Sequence, residues 1–386
     1  MTIEALHADE ARRREQFPVA ANEIFLANAA VCSLPGPVAQ AMADYCVSAT
    51  QGDQEVRFPV QLFGEVRQRA GQLLAVDPRD IALVGPTSVG LSVIANGLAW
   101  EAGDNVVFAP DDYPSNAVVW MHLQKRGVQL RPIVPRTPGA ITLEDVQAQV
   151  DARTRLVALS SAHFITGYRL DVEAIGRWLR GQDVLFSLDA IQTLGALRTP
   201  LEWVDFAPAD AHKWMLGPCG TGILYVSERG RAFLEPTLLG WANVECPDFV
   251  TPETIRFKPD ARRYEAGSQG LVGVVGLHAA LGMLLDFGLD GIERTILGHT
   301  RKLRAALTAL GFQLGSADDA HLSGITSFRK EGVELAELHQ RLRDNGVVAS
   351  LRSTRDRRKW IRFSPHVFNT AAELDRALEL LEPVNV

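Results

Sequence analysis

Lysine is scarce in this chain. Its 386 residues include 39 lysines and arginines, of which only six are lysines: Lys125, Lys213, Lys258, Lys302, Lys330 and Lys359. Chemistry that needs a primary amine must use one of those positions. Cysteine is scarcer still, at Cys32, Cys46, Cys219 and Cys246, with no CxxC pair. Four thiols in a chain of this length exclude a disulfide scaffold and point to a reducing, cytoplasmic setting. No excess of basic charge is present, because 46 acidic residues leave a net charge of −7. Nucleic acid and anionic membrane surfaces are therefore not expected partners. Long apolar runs are missing too. The most apolar window, 270–285, is sixteen residues long and contains His278. A bilayer needs about 20 apolar residues, so the window reads as a buried core helix. The first residues, MTIEALHADEARRREQ, lack the apolar stretch of a secretory signal.

Ample core material is present. Hydrophobic residues make up 47% of the chain and charged residues 22%. The length corresponds to two or three domains of about 150 residues. The stretch 4–16 reads as a polar helix. A short strand at 24–26 leads into a small-residue turn, Asn28-Ala29-Ala30, which is either a tight loop or a backbone passing close to a ligand. Helices follow at 38–48 and 64–74. From Ile81 the pattern is regular. Strand-like runs at 81–84, 105–109, 128–134, 156–160 and 184–188 alternate with helical patterns at 88–100, 115–126, 143–150 and 172–180. Such alternation predicts an α/β fold with a mainly parallel sheet wrapped by helices. The texture changes after Leu285. An amphipathic helix at 292–310, a helix at 333–344, strands at 325–328, 347–350 and 360–363, and a last helix opened by the capping box Thr370/Glu373 predict a smaller α+β unit. The expected division is a large domain of residues 20–285 and a small one of 1–19 with 286–386.

The most informative stretch runs from Val184 to Val226, VLFSLDAIQTLGALRTPLEWVDFAPADAHKWMLGPCGTGILYV. One buried strand ends at Asp189, with Gln192 three residues later. His212-Lys213 precedes a Gly/Pro-rich turn and another strand at 223–226. An acid and a lysine at neighbouring strand ends meet at the rim where open α/β sheets bind ligands. Lysine forms a Schiff base with pyridoxal phosphate, and a carboxylate keeps the pyridine nitrogen protonated so that the ring acts as an electron sink. Elsewhere, Gly85-Pro86-Thr87-Ser88-Val89-Gly90 joins a strand to a helix, either as an ordinary hydroxyl N-cap or as an anion site. Tyr113, in DDYPSN, is either a surface-loop tyrosine or a ring that stacks on a cofactor. His163, in SSAHFITG, reads as a satisfied loop histidine or a site residue.

The stretch from Asp189 to Val226 resembles the signature of the class V aminotransferase group of fold-type I pyridoxal-phosphate enzymes, which includes cysteine desulfurases, kynureninases and isopenicillin-N-epimerase-like proteins. The resemblance resumes at RYEAGSQGLVGVVGLHAAL and at IRFSPHVFNTAAELDRAL. It implies a mostly parallel sheet of about seven strands, a homodimer and a small amino acid as substrate. It also implies roles residue by residue. Lys213 carries the cofactor as an aldimine and shuttles the Cα proton. Asp189 pairs with the ring nitrogen, Gln192 bonds the ring oxygen and Tyr113 stacks. Thr87, Ser88 and His212 face the phosphate, which Ser268 reaches from the other subunit. Arg362 clamps the substrate α-carboxylate, with Asn28 nearby. No metal is implied. This chain departs from the family at two places. Asp210, an acid where a phosphate contact is common, is expected to point elsewhere. No cysteine follows Cys246, and the segment 350–359 is short and basic. Persulfide chemistry therefore lacks its nucleophile. A C–S lyase, a kynureninase-like lyase and an amino-acid epimerase remain the alternative activities, and a non-catalytic dimeric scaffold remains the alternative class.

Overall fold

The computed structural model describes residues 1–316 and 318–382. After a short first strand, β1 (Ile24–Phe25), seven strands build the central sheet: β2 (Ile81–Val84), β3 (Asn105–Phe108), β4 (Gln129–Pro132), β5 (Thr154–Ser160), β6 (Leu185–Asp189), β7 (Phe206–Asp210) and β8 (Gly222–Val226). Their spatial order is β2-β8-β7-β6-β5-β3-β4. Only β8 runs antiparallel to its neighbours, β2 and β7. The other pairs are parallel. The inner strands are mostly apolar and buried because helices cover both faces, whereas the edge strand β4, QLRP, is partly exposed. Side chains alternate between two cores, as strand geometry requires. Ile81, Leu83, Val157, Phe186 and Leu188 enter one core, and Ala82, Val84, Leu156, Ala158 and Leu185 the other.

The apolar window is the buried helix Leu271–Phe287, packed on the helices Gly36–Ala49 and Leu62–Leu74. It meets the helix Leu289–Ala309 at 81°. Gly288, between them, has a φ of 75°, which favours glycine. Among the described residues no single helix is long and apolar enough to cross a membrane.

A second sheet is antiparallel and four-stranded, with β9 (Gln313–Leu314), β10 (Thr326–Arg329), β12 (Ser350–Ser353) and β13 (Lys359–Phe363) in the order β12-β13-β10-β9. The remaining strand, β11 (Val347–Val348), pairs in parallel with β1. Residues 347–350 were expected to form one strand. The ladder instead breaks at Ala349, and the two sides join different sheets. Residues 4–16 were expected to form one helix. They form two, Ile3–Ala8 and Glu10–Gln16, because Asp9 leaves the helical backbone and caps the second through Arg12 N. The strand β7, which ends just before His212-Lys213, had only a weak signal in the sequence, a short apolar piece. Its residues, FAPAD, carry a proline, which normally argues against a central strand. Here the ladder to β6 is a single pair, Ser187 with Phe206, so Pro208 needs no N–H on that side.

Candidate active site

Parallel strands bring their carboxyl ends to one rim, and the chain leaves each strand there in a loop. Asp189 closes β6. Asp210 closes β7, three residues before Lys213. The loop after β2 carries Pro86, Thr87 and Ser88. The loop after β3 carries Tyr113, and the loop after β5 carries Phe164. From the second sheet, β12 contributes Arg352 and β13 contributes Arg362. All of these side chains line one cavity of about 290 Å³, floored by Ala29, Ala30 and Val31. That volume lies at the small end for a ligand site.

Lys213 is buried, and its Nζ lies 5.3 Å from the centroid of the Tyr113 ring. Burial pushes the amine down to about 8; Asp189 opposes that shift, while Arg362 and Arg352 reinforce it. An amine in that range has a substantial unprotonated fraction near neutral pH, as a nucleophile requires. Asp189 is 2% exposed. Burial, then the charge of Asp112, pushes it up to about 7. Its Oδ1 accepts a hydrogen bond from Ile191 N at 3.1 Å. This buried acid has one backbone partner and becomes a stable anion when a cation faces it. Gln192 is anchored at both ends of its amide. Its Nε2 donates to Ala29 O at 3.2 Å, and its Oε1 accepts from Trp214 Nε1 at 3.0 Å. One N–H remains for a ligand.

The hydroxyls at 87 and 88 do not cap their helix. The helix Thr87–Gly97 has no side-chain cap bond, so its first N–H groups stay open toward the cavity. Thr87 Oγ1 instead accepts from Asp210 N at 2.9 Å, and Ser88 Oγ bonds Ser115 Oγ at 2.8 Å. Asp210 does not point elsewhere, contrary to expectation; it belongs to the cavity wall. Its Oδ2 accepts from Gly220 N at 3.2 Å and lies 3.0 Å from His212 Nδ1. Its Oδ1 and His212 Nδ1 are both buried without a hydrogen bond.

Arg362 is 1% exposed. One terminal nitrogen donates to Phe164 O and the other to Ser350 Oγ at 3.4 Å, while Nε has no partner. Burial, then Arg352, holds its pKa below the usual arginine range, although a guanidinium keeps its proton. It is a buried cation without an anion among the described residues.

Two expected site residues, Asn28 and Ser268, fall outside the cavity lining, as does His163, whose reading was left open. Asn28 is fully buried; its Nδ2 donates to Ser364 O at 3.0 Å, and its Oδ1 has no partner. His163 accepts at Nδ1 from Thr166 N at 3.1 Å, and its Nε2 faces Asp111 O at 3.3 Å, the arrangement of a satisfied loop histidine. Ser268 lies in a separate cleft with Val60 and Trp241, 3.4 Å from Glu55. Conversely, Arg352, Phe164 and Ser115 line the cavity without having been singled out from the sequence. Arg352 was hidden because the basic segment 350–359 read as a loop. Only the alternation in SLRS hints at the strand β12.

A mixed seven-stranded sheet with one antiparallel strand, a buried lysine at its rim and a buried acid on a neighbouring strand define a fold-type I pyridoxal-phosphate enzyme. Comparison with known proteins agrees: the chain belongs to the class-V aminotransferase family, whose model matches residues 24–377. It is similar to a probable cysteine desulfurase of Methanothermobacter thermautotrophicus, at 25% identity over 96% of this chain and 97% of that protein. Among solved structures it is similar to the apo cysteine desulfurase of Thermococcus onnurineus NA1, with a TM-score of 0.87, 24% identity and coverage of 96% of this chain and 97% of that one. It is also similar to a C-DES mutant with glycine covalently linked to its PLP cofactor, with a TM-score of 0.86, 22% identity and coverage of 96% and 99%. The chain is thus a pyridoxal-phosphate-dependent transferase or lyase.

Proposed function

We propose that this enzyme binds a small amino acid through its α-carboxylate at Arg362 and removes the Cα proton with Lys213. The observation that supports it best is the meeting of Lys213, Asp189 and Arg362 in one cavity. Pyridoxal phosphate, when bound, supplies an electron sink for the charge that develops at Cα. Lys213 would hold it covalently, and Asp189 would hold its ring nitrogen as a cation. Tyr113 would cover one ring face, Gln192 would donate its free N–H to the ring oxygen, and the open helix N-terminus at Thr87–Ser88 with His212 would hold the phosphate. Once released by the substrate amine, Lys213 Nζ is the base at Cα. Its depressed pKa matches it to proton transfer near neutral pH.

The chain's own thiols do not favour persulfide chemistry. Cys32 follows the cavity residue Val31, but its Sγ is buried against Gly217 O, and burial pushes its pKa up to about 12. The other three cysteines do not line the cavity. The outcome we favour is amino-group transfer. Side-chain cleavage is the alternative, at the C–S bond in a C–S lyase or at the C–C bond in a kynureninase-like lyase; the named cysteine desulfurases support the first. We place the enzyme in the cytoplasm as a homodimer. The exposed apolar residues Val56, Val60, Trp241, Phe249 and Val250 are consistent with Ser268 facing a second copy.

The test is a panel of amino acids, including alanine, cysteine, cystine and kynurenine, scored for keto acid, sulfide and alanine. Keto acid formed only when a second keto acid is present to accept the amino group, with no free ammonia, is expected. Sulfide from cysteine or alanine from kynurenine would replace transfer with side-chain cleavage. A protein that stays colourless after reconstitution with the cofactor would overturn the proposal.

A further inference from the structure

Arg352 is a second cation in the same cavity, and the catalytic roles proposed above leave it unused. Its guanidinium makes no hydrogen bond or ion pair with any described residue. Its neighbours in the basic segment do: Arg355 donates to Pro110 O at 3.2 Å, and Arg358 donates to Asp356 at 2.6 Å. The two acids of the cavity do not serve it either. Asp210 is turned to Gly220 N and His212, and Asp189 to Ile191 N.

Its position is set by strand register. Ser350 on β12 pairs with Arg362 on β13, and Arg352 pairs with Trp360. Residues two apart on a strand share a face, so Arg352 and Arg362 are diagonal neighbours on one face, about 7–8 Å apart along the backbone. Both guanidinium groups line the one cavity. A monocarboxylic amino acid with a neutral side chain satisfies only one of them. An amino acid with two anionic groups a few bonds apart satisfies both, each in the planar geometry that suits arginine.

We propose that Arg352 binds a second anionic group on the substrate side chain, so that the substrates are acidic α-amino acids bearing a carboxylate or a sulfur oxyanion. The proposal rests on Arg362 holding the α-carboxylate.

The test uses the holoenzyme, with α-methyl-L-aspartate and 2-aminoisobutyrate titrated by calorimetry. Neither ligand has a Cα proton, so binding is read without turnover. The acidic ligand is expected to bind wild type at least about tenfold more tightly. Arg352→Gln should weaken the acidic ligand by about 10- to 100-fold, the loss of one charge-assisted contact, and leave the neutral one within about threefold. Arg352→Lys should recover part of the loss. KM values for L-aspartate and L-cysteine sulfinate separate carboxylate from sulfur oxyanion, and a selective rise in either with Arg352→Gln supports the proposal. Equal affinity of wild type for both ligands, or an equal loss of both in Arg352→Gln, would overturn it. A neutral ligand that binds wild type and is lost in Arg362→Ala shows that the α-carboxylate assignment stands regardless. A neutral ligand that Arg362→Ala binds as wild type does overturns both.

Discussion

Lys213 Nζ sits 5.3 Å from the centroid of the Tyr113 ring, across the cavity at the sheet rim. The loop that carries the ring is held from behind. Asp112 Oδ1 accepts from Tyr113 N at 2.7 Å, and its Oδ2 accepts from Asn116 at 3.0 Å and from Ser160 at 2.5 Å. Phe164 meets the ring edge-on at 5.4 Å between centroids. The lysine therefore faces an aromatic plane whose orientation is fixed from two sides.

Tyr113→Ala should keep the covalent link to Lys213 but weaken the cofactor by about 10-fold, since an aromatic pair contributes on the order of 1 kcal/mol beyond its buried area. Equilibrium dialysis against free cofactor measures this. Unchanged affinity would remove the stacking role.

Arg362→Ala should raise KM for the amino acid by about 10- to 100-fold with the visible cofactor band intact, since it removes charged contacts to the carboxylate. Steady-state kinetics with an absorbance spectrum of the same sample separates the two. Loss of the band instead would place Arg362 with the cofactor.

The cofactor-free protein should lose stability as pH rises, and Asp189 is a cause. Its folded pKa is about 7 against an ordinary 3.8. Between those values the folded state binds more protons than the unfolded one, so the contribution is full below about pH 4 and is lost through about pH 7. Asp189→Asn should flatten that part of the curve in thermal unfolding scans. An unchanged slope would mean the acid is compensated in the folded chain.

Much of this architecture was legible in the sequence. Short apolar runs and intervening helical patterns marked six of the seven central strands, because burial on both faces forces continuous apolar runs. Asp189 and Lys213 could be found because each follows such a run. The strand β7 was only faintly legible, as a short apolar piece before Lys213, because FAPAD owes its place to β8 on one side rather than to its own propensity. Arg352 was not legible either. One residue of register decides whether a charge on β12 faces the cavity or solvent, and only pairing with β13 fixes it. The pointing of Asp210 was misjudged because its partners, Gly220 N and His212, come together only in the fold.

Gly90 links packing to the site. A Cβ there would come within 2.6 Å of Pro208 Cβ on β7. Gly90→Ala should cost about 1–3 kcal/mol by overpacking and weaken the cofactor, because it pushes the helix start at Thr87 away from the cavity. Thermal unfolding and cofactor titration measure both. A variant as stable as wild type would mean that the helix shifts freely.

Alkylation of the exposed Cys46 and Cys219 should leave turnover within about twofold, since neither lines the cavity. Mass spectrometry confirms labelling before the assay. A loss of activity that tracks the labelling of one of these thiols would restore a thiol mechanism.

The most direct test exploits the scarcity of lysine. Reducing the holoenzyme with borohydride fixes the cofactor to the amine that carries it, and peptide mass mapping then chooses among six lysines. The expected result is the cofactor mass on Lys213 alone, and no visible band in Lys213→Ala. The cofactor mass on any other lysine, or an unchanged band in that variant, would contradict the assignment of the site.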